Sequence, residues 1–116
     1  MSLHLELSDA IVSNYGEHLL DAPQVSHDAI LVRFTSGLSV ECRYANKNEY
    51  SVAWQWQNKL FRIDTAPVHS NLETFPNHLH LPDGTAISDP LTHPGRPPWE
   101  NLKAVLDKVM HSPELS

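Results

Sequence analysis

The chain has 116 residues, eight Lys and Arg against fourteen Asp and Glu, and eight histidines, giving a formal charge of −6 with the histidines neutral. This length predicts a single domain over residues 1–116 with one core. The few, scattered cations exclude a broad basic face for salt-driven nucleic-acid binding, although a small local site stays open. Full protonation of the histidines would carry the charge to +2, and near neutral pH the acidic surface suits a partner with a basic face. The lone Cys42 excludes an internal disulfide framework and reads as a small buried hydrophobe. Met1 to Glu6 lacks the basic start and apolar run of a signal peptide, and no stretch approaches the ~18 apolar residues of a membrane span. A cytoplasmic protein with no membrane attachment is expected.

From Leu5 to Leu20, the residues Leu7, Ile11, Tyr15 and Leu19 fall four apart, which predicts an amphipathic helix with Ser8 or Asp9 as N-cap, ended by Pro23. Asp28 to Thr35 alternates as a strand, and Ser36-Gly37 turns it into a second strand carrying Leu38, Val40, Cys42 and Tyr44. Asn46-Lys47-Asn48 makes the next turn. Tyr50, Val52, Trp54 and Trp56 then share one face of a third strand, and Gln57-Asn58 leads into a fourth, Leu60 to Asp64.

Beyond Asp64 seven prolines, from Pro67 to Pro98, forbid a long regular element, so a histidine-bearing loop is expected across one edge of the sheet, with Phe75, Leu79 and Leu81 tacking it down. Pro97-Pro98-Trp99 opens a second helix whose stripe of Leu102, Val105, Leu106, Val109 and Met110 should cover one sheet face. Ser112 to Ser116 reads as a tail. The expected fold class is therefore α+β: a four-stranded antiparallel β-meander packed by an N-terminal and a C-terminal helix, with a Pro/His-rich loop.

The candidate chemistry lies between Arg62 and His80. His78 and His80 form an H-x-H pair that projects to one side of an extended chain, and with His69, Asp64 or the more distant His93 they could ligate zinc, nickel, manganese or iron. Arg62 beside histidines also suits phosphate cleavage: the cation stabilises transition-state charge while one imidazole takes a proton and another gives one. Asp64 could orient a histidine tautomer, or simply pair with Arg62. Tyr50, Trp54 and Trp56 could stack bases or belong to the core. A structural role, with the histidines satisfying carbonyls left over by the prolines, is a third reading of the same residues.

The run YSVAWQ … RIDTAPVH … ETFPNHLH, from Tyr50 to His80, resembles the TumE family of small bacterial and archaeal toxin components of toxin–antitoxin pairs. The family pattern is a Y-S-x-x-W-Q strand, then R-W-D-N-A-P-H-H, then T-F-P-H-H-K-H. Matching positions are Tyr50, Trp54, Arg62, Asp64, Pro67, His69, Phe75, Pro76, His78 and His80. Thr65, Val68 and Asn77 depart, the last two standing where the pattern has histidine. The resemblance implies a toxin acting on RNA without an obligatory cofactor, with a small DNA-binding antitoxin as partner. In that scheme His78 or His80 is the general base, His69 the acid, Arg62 the transition-state cation, Asp64 the orienter, and Tyr50 and Trp54 bind substrate. The alternative is a non-enzymatic metal-binding or protein-interaction module in which His69, His78 and His80 hold a divalent transition metal.

Overall fold

The computed structural model describes residues 2–115. Helix α1 (Leu3–Tyr15) and a 3-10 turn (Gly16–His18) precede seven strands: β1 (Gln24–Val25), β2 (Ile30–Arg33), β3 (Ser39–Asn46), β4 (Glu49–Trp56), β5 (Lys59–Asp64), β6 (His78–His80) and β7 (Ala86–Ser88). Helix α2 (Pro98–His111) follows. The strands pair in chain order, every neighbour antiparallel, in one sheet. The α+β class and the two helices agree with the sequence reading, but the four-stranded meander is corrected to seven strands. The three additional strands have two or three residues each, too few to show an alternation.

The turns follow their local chemistry. Gly37, at φ +98°, closes the β2–β3 connection, a conformation in which a Cβ would be strained. The Asn46 carboxamide accepts from the Asn48 and Glu49 amides at 2.8 and 3.0 Å, drawing β4 back beside β3. Helix α1 begins at Leu3 because the Ser2 hydroxyl accepts the Leu5 amide, at 3.1 Å; Ser8 and Asp9, the expected caps, lie inside the helix.

Period-two alternation sends one face of the sheet to the helices. Val40, Trp54 and Phe61 are cross-strand partners on that face, as are Cys42, Val52, Ile63 and Leu79, and all are buried with Leu7 and Ile11 of α1 and Leu102, Val105, Leu106 and Val109 of α2. Trp54 lies flat on Phe61, with centroids 5.2 Å apart. Burial pushes the Cys42 thiol pKa up to about 12, consistent with an inert core residue. Among the described residues no helix covers the other face, and across it Glu41, Ala53, Arg62 and His80 form one row while Arg43, Ser51, Asp64 and His78 form the next. Arg62 and Asp64 are thus beside Ala53 and Ser51 and on the opposite face from Tyr50 and Trp54.

The C-terminal residues expected as a tail are held down. Trp54 Nε1 donates to the Pro113 carbonyl at 2.9 Å, Lys59 pairs with Glu114, and Leu115 packs on the core; Met1 and Ser116 lie outside the described residues. At the other end, His4 is 5 % exposed. Its Nδ1 faces the His27 carbonyl at 3.1 Å, which can only accept, so Nε2 is the acceptor for the Tyr44 amide, also at 3.1 Å. That amide lies past the start of β2 and has no strand to pair with. His4→Ala should therefore lower stability by about 1–3 kcal/mol, measured by urea unfolding, whereas Leu5→Ser, at an exposed position, should stay within about 0.5 kcal/mol.

Candidate functional site

The burial of Ile63 against Leu79 fixes the register of β5 and β6, placing Arg62 opposite His80 and Asp64 opposite His78. His78 and His80 are therefore strand residues, and only His69 of the three comes from the connection spanning 65–77. That connection is a chain of turns: the Leu72 amide returns to the His69 carbonyl at 3.1 Å and the Phe75 amide to Leu72 at 3.1 Å, and the Phe75–Pro76 peptide is cis. It folds over the helix-free face and brings the His69 ring against both others. Ring centroids are 4.8 Å apart for His69–His78, 5.9 Å for His69–His80 and 4.6 Å for His78–His80.

One potential ligand nitrogen from each ring lies within 4.8 Å of the others. His78 is fully buried, whereas His69 and His80 are partly exposed. His78 Nδ1 faces the Pro76 carbonyl at 3.1 Å, so in the neutral ring this nitrogen carries the proton and Nε2 keeps its lone pair. His78 Nε2 lies 2.9 Å from His80 Nε2, which must then be the donor, leaving His80 Nδ1 with the free lone pair. Burial, followed by the Arg62 guanidinium and the His78 ring, holds the His80 pKa below the ordinary histidine value and favours this neutral form. Arg62 Nε makes an ion pair with Asp64 Oδ2 at 3.4 Å, while Asp64 Oδ1 accepts the Ala66 amide at 2.8 Å. Asp64 thus orients Arg62 and the start of the loop rather than a histidine.

All five residues expected to carry catalysis, Arg62, Asp64, His69, His78 and His80, meet at this place. His93 does not join them; it is exposed, and its main chain is tied to Asn101. Tyr50 and Trp54, expected to bind substrate, are 5 % and 1 % exposed on the core side, so neither presents a ring face to a base. A shallow groove of about 540 Å³ instead crosses the helix-free face, lined among others by Arg43, Ser51, Ala53 and Gln55 and ending at Arg62 and Asp64.

Behind the histidines, on the core side of β6, lies a buried polar network that the sequence reading missed. Asp89, 3 % exposed, accepts from the Leu91 and Thr92 amides at 2.8 and 3.0 Å, from Asn77 Nδ2 at 3.2 Å and from the Thr92 hydroxyl. Asn77 Nδ2 also reaches the Tyr50 hydroxyl at 2.9 Å, and that hydroxyl donates to Thr92 Oγ1 at 2.7 Å. The Asx-turn pattern Asp89-Pro90-Leu91-Thr92 was its available signal. Of the three departures from the family pattern, Asn77 is absorbed into this network, Thr65 Oγ1 accepts the Tyr50 amide at 3.0 Å, and Val68 is exposed.

Fold and site together define a small antiparallel α+β protein with a histidine-centred polar site on the helix-free face of its sheet. A family model described as Toxin TumE matches residues 9–112. The chain belongs to this toxin family. No curated protein and no solved structure matches it. Among the described residues, no helix is long and apolar enough to cross a membrane.

Replacing Asp89 by Ala takes the acceptor from the Leu91 and Thr92 amides and the Thr92 hydroxyl, while Asn77 keeps the Tyr50 hydroxyl, and should lower stability by about 3 kcal/mol, read from urea unfolding; Val68→Ala, at a site 68 % exposed, should change it by less than about 0.5 kcal/mol.

Proposed function

We propose that this toxin cleaves RNA by general acid–base catalysis at the His69–His78–His80 cluster, with an antitoxin as its partner. The observation that carries the proposal is the convergence of one ring nitrogen from each of the three imidazoles within 4.8 Å of one another, with His80 directly across from Arg62. A fully buried His78 cannot meet a polymer, so the roles divide by exposure. His80, neutral and partly exposed, takes the 2′-hydroxyl proton as that oxygen attacks the adjacent phosphorus. His69 delivers a proton to the departing 5′-oxygen, and Arg62 stabilises the charge on the phosphorane-like transition state. His78, anchored on the Pro76 carbonyl, holds His80 in its tautomer through the Nε2–Nε2 hydrogen bond. The groove leading to Arg62 gives a single strand its approach. An acidic chain suits an antitoxin with a basic face.

His80→Ala should reduce RNA cleavage by roughly 10²- to 10⁴-fold and relieve growth inhibition, with Arg62→Ala also impaired. Cleavage and growth measured for wild type and both variants decide the matter: three indistinguishable proteins would overturn the assignment.

A further inference from the structure

The geometry points to a second use of the same three imidazoles: His69, His78 and His80 form a binding site for one divalent transition-metal ion, zinc being the natural probe, and its occupancy silences the acid–base chemistry. The silencing rests on the RNA-cleavage reading above, whereas the metal site does not.

Two observations carry the site. The ligand nitrogens of the three rings lie within 4.8 Å of one another, a separation that an ion with bonds of about 2.0–2.1 Å to each nitrogen can bridge after small side-chain rotations. The hydrogen bond from His78 Nδ1 to the Pro76 carbonyl also leaves the Nε2 lone pair to face a metal, the outer-shell arrangement that fixes metal-bound histidines. His78 Nε2 and His80 Nε2 already point at each other across 2.9 Å and share one proton. An incoming ion takes the place of that proton, which moves to His80 Nδ1 so that the ring stays neutral. Asp64 stands outside the set because its two oxygens are held by Arg62 and by the Ala66 amide. Three neutral nitrogens and an open fourth position match borderline ions such as zinc or cobalt better than magnesium or calcium, which prefer oxygen. With the ion bound, the proton on His80 Nδ1 occupies the lone pair that the base needs, and His69, held as a neutral ligand, is no longer the imidazolium that protonates the leaving oxygen.

The test uses full-length protein prepared without a histidine tag and stripped with chelator. Titration with zinc should show one ion per chain, and cobalt should give the visible absorption of a four-coordinate site. His69→Ala and His80→Ala should each weaken zinc binding at least tenfold, and His111→Ala, on the far helix, should leave it unchanged. Absence of zinc binding at millimolar ion, or binding that survives both cluster variants undiminished, overturns the site. RNA cleavage by stripped protein should fall on adding one equivalent of zinc; unchanged or increased cleavage overturns the silencing. Stripped protein that cleaves no RNA removes the RNA-cleavage reading and the silencing with it, while the titration alone decides the metal site.

Discussion

The register between β5 and β6 is the constraint on which the rest of the site depends. Ile63 and Leu79 are fully buried partners, and because side chains alternate, burying them forces Arg62, Asp64, His78 and His80 onto the helix-free face. A slip of one residue would put two histidines and an Arg–Asp pair into the core and two apolar side chains into water. The hydrophobic core and the polar site are thus two sides of a single choice of register.

The two faces of β6 are stabilised by different means. Toward the solvent side, the 65–77 connection shuts His78 away from water while leaving His69 and His80 accessible. Toward the core, Asp89 and Asn77 tie the turn before β6 to the segment after β7, and Asn101 joins α2 to the same group through the Tyr50 hydroxyl. A buried carboxylate is tolerated because it accepts from several donors at once. Asn77 Oδ1 is an exception, a buried side-chain oxygen without a partner among the described residues.

How much was legible in the sequence follows from element length and residue type. β3, β4 and the stripe on α2 show their periods plainly, and the helix stripe is buried as expected. β6 was invisible because His-Leu-His offers one apolar residue, so two histidines assigned to a loop are strand residues. That Arg62, Asp64, His69, His78 and His80 meet in one place was legible from their types and close spacing. Their face was not found, because it depends on the two-residue turn at Gln57-Asn58, which pairs Trp54 with Phe61 and so sends Arg62 away from Tyr50 and Trp54. The Asp89 network joins residues far apart in sequence, and the Asx turn at Asp89 announces only its local part, not the meeting with Asn77 and Tyr50.

Strand pairing in strict chain order also bears on how the protein comes into being. Each strand finds its partner in the segment made just before it, so sheet contacts are local and little loop-closure entropy opposes their formation. During synthesis from the N-terminus, β1 to β5 can pair before His78 and His80 emerge, and the cover provided by α2 comes last. The histidine cluster is therefore among the final parts to assemble, and a nascent chain has most of its sheet well before it has a site.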